Sequence, residues 1–387
     1  MYNKMAQRRL NQQQFAEGVD SVVRNAVSTG RIVGVVVEIA RDGERIYRRA
    51  VGFADREAGR AMSSDALFRW ASLTKAVTSI ATLALVDRGD VALDEPVTTY
   101  LPAFRPSLRN GAPATITIRH LLTHTSGVSY GLFEKPDGPY HGALVSDGLD
   151  QPGLSIEENL SRLTSVPLLF APGSAWSYSL STDVLGAVLA VAAGAPLPKL
   201  LKTLVTDPLG MCDTSFQVHD AARLTTAYAD GSPVAVRMRQ HHELPFGEGT
   251  ISFASDRVLD AASYPSGGGG LIGTANDFLK LLESVRLRTT PGLSADSFER
   301  LTKIATGALA TFQPGWGWSL GWSVLANPFK TGTPQSPGTW LWGGVYGNSW
   351  FVDPAKRLSV VGLTNTAVAG MLGAFPDALR NAIYAEL

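Results

Sequence analysis

Residues 71–86 read ASLTKAVTSIATLALV, a segment whose second half is almost entirely apolar. The run that follows Lys75 is long and apolar enough to form a buried helix. If that helix begins near Ser72, then Ser72 and Lys75 share a face, with Cβ atoms about 5–6 Å apart. Ser72 would also lie at the helix N-terminus, where free N–H groups and the helix dipole favour negative charge.

The Ser72-x-x-Lys75 spacing is compatible with nucleophilic catalysis. A serine hydroxyl is a poor nucleophile until a neighbouring group takes its proton, and a lysine in apolar surroundings can have a pKa low enough to do so. The same pattern also arises by chance, and a serine at a helix start is commonly only an N-cap. Taken alone, the pattern leaves both interpretations open.

A second serine, Ser129, lies in Gly127-Val128-Ser129-Tyr130-Gly131, which matches the G-x-S-x-G nucleophile elbow. That elbow requires a strand before the serine and a helix after it. The preceding residues have helical character, and Pro136, Gly138 and Pro139 follow. We therefore predict that Ser129 lies in a loop.

The histidines give little support to a Ser-His-Asp triad or to a metal site. His120 and His124 are four residues apart, but no third ligand accompanies them, so we predict structural imidazoles hydrogen-bonded to nearby backbone. His241 and His242 lie in a charged stretch and are predicted to occupy a solvated loop. The residues imply no metal and no other cofactor.

The pattern of elements predicts an α/β fold of the α+β type. An amphipathic helix is expected over residues 10–28, a hairpin over 33–51, a second hairpin over 348–364 and a last helix over 376–386. Helices are also expected over 156–163 and 182–192. We predict an antiparallel sheet flanked by helices, built from residues 1–94 and 265–387, with a mainly helical domain, residues 95–264, inserted between them.

Composition narrows the possible partners. The 387 residues carry 34 basic and 34 acidic side chains, which argues against nucleic acid as a partner. The single cysteine, Cys212, excludes an intrachain disulfide framework. The polar stretch Met1–Gln14 lacks a signal-like apolar segment, and the longest apolar runs are too short to span a membrane. We expect a cytoplasmic protein without a membrane partner, and the oligomeric state is left open.

Two further segments strengthen the case for Ser72. Residues 170–180 read FAPGSAWSYSL, a turn that leads into the helix expected from Thr182 and holds Tyr178 at the boundary between them. Residues 340–347 read WLWGGVYG, a predicted strand with small residues on one edge. Glycines in a strand often mark the close approach of a ligand or another backbone segment.

Together these segments resemble a known superfamily. Ser72-x-x-Lys75, Tyr178-Ser179-Leu180 and Trp342-Gly343-Gly344 occur in the order and approximate spacing of class C β-lactamases and penicillin-binding proteins, and within that group they most resemble family VIII carboxylesterases. The resemblance implies that Ser72 is the acylated nucleophile. It also implies that Lys75 and Tyr178 handle the proton, and that the backbone N–H groups of Ser72 and Val345 form the oxyanion hole.

Two departures from the β-lactamase pattern bear on substrate choice. Leu180 replaces the asparagine of Tyr-x-Asn, and Trp342 replaces the lysine of Lys-Thr-Gly. Both changes substitute apolar surface for polar recognition and favour an uncharged ester over a β-lactam. Without that second lysine, tyrosinate and neutral lysine both become harder to sustain, so the base is assigned to the Lys75–Tyr178 pair without dividing it.

The expected function is therefore hydrolysis of small, neutral carboxylic esters through an acyl-enzyme on Ser72. The pocket residues predicted from the motifs and from the loop after residue 126 are Trp342, Gly343, Gly344, Leu180, Tyr130 and Phe133. Two alternatives stay open: a β-lactamase or peptide amidase of the same fold, and a binding or sensing protein that is acylated but does not turn over.

Overall fold

The computed structural model describes residues 2–387, with side chains from Gln13 onward, so much of the polar stretch Met1–Gln14 lies outside the described side chains. The α-helices are α1 (Tyr2–Ser28), α2 (Thr74–Arg88), α3 (Ile118–Leu122), α4 (Pro139–Gly142), α5 (Ile156–Ser165), α6 (Ser181–Ala192), α7 (Leu197–Leu201), α8 (Ala275–Arg286), α9 (Ala295–Thr302) and α10 (Ala374–Ala385). The strands are β1 (Gly34–Arg41), β2 (Glu44–Asp55), β3 (Arg60–Ala61), β4 (Phe68–Arg69), β5 (Tyr228–Ala229), β6 (Val236–Arg237), β7 (His242–Phe246), β8 (Gly249–Phe253), β9 (Ile272–Gly273), β10 (Trp316–Trp318), β11 (Ser323–Leu325), β12 (Trp340–Gly344), β13 (Asn348–Asp353), β14 (Leu358–Thr364) and β15 (Thr366–Ala367).

Two hairpins from opposite ends of the chain meet in the main sheet. The first is β1–β2, whose two turn residues, Asp42 and Gly43, both have positive φ, as a type I′ turn requires. The second is β13–β14, and β14 pairs antiparallel with β1. The full sheet is antiparallel, in the order β10-β11-β12-β13-β14-β1-β2-β3. Both hairpins match the sequence-based predictions.

Strand β1 is buried on both faces because helices cover each side of the sheet. Val35, Val37 and Ile39 point into a cluster that includes side chains of α1 and α10. Val36 and Ala40 point to the opposite face, into the large cluster that contains α2, α6 and α8. Burial on both faces explains why four of the eight residues of β1 are β-branched and apolar, rather than every second residue being polar.

Residues 95–264 carry α3–α7 together with irregular segments. They also contain the hairpin β7–β8, in which Leu244 pairs with Ile251. The prediction that His242 lies in a solvated loop is therefore wrong, because that residue begins β7. The hairpin is stabilised by alternate side chains that turn inward, a period that the charged residues nearby obscure in the sequence.

Helix boundaries differ from the predictions mainly at the N-terminus. Helix α1 begins at Tyr2 rather than near residue 10, whereas α5, α6 and α10 lie close to the predicted ranges. Within the described residues, no single helix meets the length and hydropathy expected of a membrane span. A pair bent by 84°, Ser181–Ala192 with Leu197–Thr206, meets them jointly, and its first helix is mostly buried in the core.

Candidate active site

Ser72 lies in a single 3₁₀ turn, Ala71–Leu73, that leads directly into α2. The sequence predicted a helix beginning near Ser72, and the regular α-helix begins at Thr74. Ala71, just before the serine, has φ of 46°, in the left-handed region that a residue with a Cβ adopts only at a cost. The sharp turn leaves Ser72 partly exposed on the wall of a cavity.

Backbone contacts with distant parts of the chain hold this turn in place. The Trp70 N–H donates to the Leu271 carbonyl at 2.9 Å, and the Asn348 Nδ2 donates to the Arg69 carbonyl at 2.8 Å. Gly344, at the end of β12, lies so close that a Cβ there would be 2.2 Å from the Trp70 carbonyl oxygen. The serine is therefore positioned by strands β12 and β13 and by the segment before β9.

Lys75 lies one turn after Ser72 and is buried, with only 2% of its surface exposed. Its Nζ is 3.2 Å from the Ser72 Oγ, 2.9 Å from the Tyr130 hydroxyl and 2.7 Å from the Gly268 carbonyl oxygen. The structure thus brings the predicted serine and lysine into direct contact. A lysine in this position can exchange a proton with the serine hydroxyl.

Tyr178 lies beside the same lysine but makes a different contact from the one expected. Its ring centroid is 4.8 Å from the Lys75 Nζ, and its hydroxyl accepts a hydrogen bond of 3.0 Å from the Trp342 Nε1. The ring therefore places π-electron density against the ammonium group. The Lys75, Tyr178 and Trp342 side chains predicted from three separate segments lie together.

Tyr130 is closer to the chemistry than the sequence indicated. The sequence placed it only on the pocket wall, yet its hydroxyl accepts a hydrogen bond from Lys75. Burial raises its pKa well above the ordinary value for tyrosine, and Tyr178 is the next contributor. Tyr130 therefore stays protonated at neutral pH. Its contact with Lys75 depends on the loop after α3 folding back over α2, which no local pattern signals.

The remaining predicted site residues divide between the cavity wall and the core behind it. Val345, which follows β12, and Gly343 line the same cavity as Ser72, as does Phe133. Leu180 is fully buried as the residue before α6, and Gly344 packs on the turn of Ser72, so both lie behind the wall. The prediction that Leu180 and Gly344 contact substrate is therefore wrong. Core side chains cover Leu180, and the backbone of Trp70 covers Gly344.

The cavity has a volume of about 660 Å³ and is lined mostly by apolar side chains. Its aromatic lining comes from five parts of the chain: Tyr130, Phe133, Trp176, Tyr178, Phe246, Phe312, Trp342, Trp350 and Phe351. Trp176 and Phe312 were not predicted as pocket residues. Their ring centroids lie 6.3 Å apart, and Phe312 packs edge-on against Trp342 at 5.3 Å. A site of this kind suits a partly apolar small molecule.

His124 and Ser129, the rival catalytic candidates, have structural roles. The His124 ring lies 4.7 Å from the Tyr178 ring, and its Nδ1 shares a 3.0 Å hydrogen bond with the Ser179 hydroxyl. Burial, with a smaller contribution from the charge of Lys75, holds its pKa well below the usual value, so the ring is neutral. Ser129 lies in a loop, as predicted, and its backbone N–H donates a hydrogen bond to the Tyr140 hydroxyl.

Asp147 is an unpredicted carboxylate on the cavity wall. Its two oxygens accept hydrogen bonds of 2.8 Å each from the backbone N–H groups of Gly131 and Leu132. Burial raises its pKa to about 7, and the nearby Asp150 adds to the shift. The carboxylate therefore anchors the loop that carries Tyr130 and Phe133, and it changes charge near neutral pH.

Comparison with known proteins identifies the family and the fold of the chain. The beta-lactamase family profile matches residues 19–383. Esterase EstB of Burkholderia gladioli is 49% identical over 377 residues, or 96% of each chain. The structure of EstCE1, a hydrolase with promiscuous acyltransferase activity, covers 97% of this chain and 100% of its own, with a TM-score of 0.94 and 41% identity. Simvastatin synthase LovD from Aspergillus terreus, 23% identical, covers 95% of this chain and 97% of its own with a TM-score of 0.72 and shares the fold. The chain accordingly belongs to the beta-lactamase family.

Proposed function

We propose that the chain is a serine carboxylesterase of the family VIII type, which hydrolyses small, neutral esters through an acyl-enzyme on Ser72. The observation that carries the proposal is the 3.2 Å contact between the Ser72 Oγ and the buried Lys75 Nζ at the wall of an apolar cavity. The 49% identity to an esterase over nearly the whole chain supports it.

Acylation begins with attack of the Ser72 Oγ on the ester carbonyl carbon. The Oγ–C bond forms as the serine O–H bond breaks, and the Lys75–Tyr178 pair takes the proton. The carbon–oxygen bond to the alcohol then breaks, and the same proton passes to the departing alkoxide oxygen. Water repeats the sequence on the acyl-enzyme: the pair accepts a proton from water and returns it to the Ser72 Oγ as the acid leaves.

The negative charge that develops on the carbonyl oxygen requires hydrogen-bond donors. Ser72 and Val345 line the same cavity, and we assign their backbone N–H groups to the oxyanion hole. Ser72 follows a strained residue, and Val345 follows β12, so both donors belong to backbone that is fixed before the substrate binds. Losing one such donor typically costs about 100- to 1000-fold in rate.

The cavity favours an uncharged substrate. Trp342 occupies the position of the lysine in the Lys-Thr-Gly element of β-lactamases, and its indole N–H is already bonded to Tyr178. Phe312 and Trp176 extend the apolar surface beside it. A carboxylate-bearing β-lactam would gain no cation from Trp342, whereas a neutral acyl or alcohol group would be desolvated favourably.

The test compares Ser72→Ala with Ser129→Ala on a short-chain nitrophenyl ester. We expect Ser72→Ala to lose measurable turnover and the acyl adduct seen by mass spectrometry, and Ser129→Ala to keep most activity if it folds. Turnover by Ser72→Ala equal to wild type would refute the proposal. Penicillin hydrolysis as efficient as ester hydrolysis would favour the β-lactamase alternative, and a persistent adduct without turnover would favour the sensor.

Two finer statements stay predictions: the cytoplasmic location, and the division of the chain at residues 94/95 and 264/265.

A further inference from the structure

Asp183 is a buried carboxylate that the steps above do not use. It lies in the first turn of α6, five positions after Tyr178, and only 3% of its surface is exposed. Among the described residues, neither of its oxygens completes a hydrogen bond within normal geometric limits. A buried ionised carboxylate without a full set of donors is costly unless an opposite charge lies nearby.

That opposite charge is Lys75. A Cβ built on Gly268 would lie 2.3 Å from the Asp183 Oδ2 and 3.3 Å from the Lys75 Nζ. The two charged groups therefore lie within about 6 Å of each other, the range over which opposite charges shift a pKa. Lys75 also donates to the Gly268 carbonyl oxygen. The absence of a side chain at Gly268 is what allows both groups to approach.

The pKa of Asp183 is raised overall, and the groups around it oppose that rise. Burial raises its pKa, while Lys75 is the largest influence in the opposite direction, followed by the Ser266 hydroxyl, Arg257 and the Gly268 N–H. Other titratable or charged groups also face Lys75 or Asp183: His124, Tyr130, Asp147, Tyr178, Arg257 and Tyr264. Lys75 therefore contacts the Ser72 hydroxyl and also lies near the Asp183 carboxylate.

We propose that Asp183 is a positioning residue whose negative charge holds the transferred proton on the Lys75–Tyr178 pair after Ser72 attacks. This inference rests on the proposed function. When the pair takes the serine proton, its net charge rises by one, and the carboxylate behind Lys75 stabilises that state. This stabilisation is the same whether lysine or tyrosine receives the proton, because Asp183 interacts with the total charge of the pair.

The expected signature lies in the pH profile of kcat/KM. The active form of the pair carries one proton fewer than its acidic form, so removing a neighbouring negative charge makes that proton easier to lose. Asp183→Asn should therefore move the acid limb of the profile about one pH unit lower. The weaker base should also lower the plateau about tenfold. Arg257 and Asp147 are retained in wild type and variant, so their contributions cancel in the comparison.

Asp150→Asn is the matched control. Asp150 is another poorly exposed carboxylate near Arg257, with its own hydrogen bond from Ser146, and its pKa is also raised by burial. Arg257 is a cation that opposes this rise, and Asp150 is not among the described residues that line the cavity. We expect Asp150→Asn to leave the acid limb in place.

Two readouts separate this inference from the proposed function. Steady-state hydrolysis of a nitrophenyl ester reports the whole cycle, and the rate of covalent labelling by a neutral phosphonate ester reports only attack by Ser72. A wild-type protein that is labelled but does not turn over would overturn the proposed function, and the labelling profile of Asp183→Asn would still test Asp183. An acid limb that stays in place in folded Asp183→Asn would overturn the positioning role. If Asp183→Asn does not fold by circular dichroism, Asp183→Ser undergoes the same measurement and is judged by the same outcome.

Discussion

At the scale of single residues, the proposed mechanism gives Trp342 a part in both substrate recognition and proton transfer. Its Nε1–H donates to the Tyr178 hydroxyl at 3.0 Å, and its ring packs 4.8 Å from the Tyr178 ring. Trp342→Phe keeps an aromatic ring on the cavity wall but removes the donor. We expect kcat/KM for a short nitrophenyl ester to fall about fivefold to tenfold, the effect of one net hydrogen bond of about 1 kcal/mol or slightly more.

The control for this substitution is Trp316→Phe. Trp316 begins β10 and is not among the residues that line the cavity. We expect its replacement to change kcat/KM less than twofold. If Trp342→Phe matches wild type in kcat/KM, then the hydrogen bond to Tyr178 has no role in the reaction.

The residue scale also shows what spacing can and cannot predict. Ser72 and Lys75 contact each other because residues three apart share a helical face, a property of local geometry. The contact between Tyr130 and Lys75 joins residues 55 positions apart and depends on how a loop folds. Leu180 was expected in the pocket from its motif position, but the first turn of α6 directs it into the core.

At the scale of elements, the contact between the end of β12 and the turn of Ser72 determines where the nucleophile lies. A Cβ at Gly344 would be 2.2 Å from the Trp70 carbonyl oxygen, which is backbone and cannot move aside easily. Gly344→Ala should therefore push strand and turn apart. We expect a loss of about 1–3 kcal/mol in the free energy of unfolding, measured by urea denaturation, and at least a 100-fold loss in kcat.

Gly142→Ala provides the comparison. Gly142 ends α4, and a Cβ there would meet nothing within 4 Å. That variant should match wild type in both measurements. If Gly344→Ala keeps the kcat of wild type, then β12 and the turn of Ser72 are held less closely in solution than in the structure.

A second prediction concerns the loop at Gly131–Phe133, which Asp147 anchors. Burial raises the Asp147 pKa to about 7, above the value expected in the unfolded chain, so the folded state binds the extra proton. Stability from this group is therefore present below the unfolded pKa and is lost as the pH rises towards 7. Replacing Asp147 with Asn removes that dependence.

The measurement is the free energy of unfolding at pH 5 and pH 8 for wild type and Asp147→Asn. Relative to wild type, the variant should gain on the order of 2 kcal/mol between the two pH values. Asp137→Asn, which alters an exposed carboxylate before α4, should show no such change. A difference between Asp147→Asn and wild type that is the same at both pH values would contradict the assignment.

Element prediction from the sequence was strongest where one local rule applied. The β1–β2 hairpin follows from a β-branched run and an Asp-Gly turn, and the structure contains it. The 3₁₀ turn at Ser72 could not be predicted, because it requires a positive φ at Ala71 that alanine does not favour. Contacts with Leu271 and Asn348, far away in the chain, hold that conformation.

At the scale of the whole molecule, the main sheet joins the two ends of the chain. Strand β1 pairs with β14, so Val35 lies opposite Thr364. Similar hairpin patterns near both ends suggested one shared layer, but no local pattern specifies which strands are neighbours. The sheet also separates two hydrophobic clusters, one with α1 and α10 and one that contains α2, the helix that follows Ser72.

The first part of α10 reaches the cavity through Pro376, Asp377, Leu379 and Arg380, so we expect stability and catalysis to respond differently only at positions nearer the end of this helix. Ile383, in the last turns of α10, is fully buried in the cluster that contains side chains of α1 and of the sheet. It is not among the described residues that line the cavity. Ile383→Ala removes buried methyl groups and leaves a cavity, so we expect a loss of about 2–5 kcal/mol in the free energy of unfolding in urea. The turn of Ser72 lies across the sheet, so kcat/KM at 25 °C should stay within about twofold of wild type.

Val191→Ala is the control, because Val191 lies near the end of α6 with 53% of its surface exposed and should change neither quantity. Two results would contradict the separation of the clusters. A large loss of kcat/KM in folded Ile383→Ala would mean that packing beneath the sheet determines the geometry of Ser72. Unchanged stability would mean that α10 contributes little to the fold, although it covers the strand that links both ends of the chain.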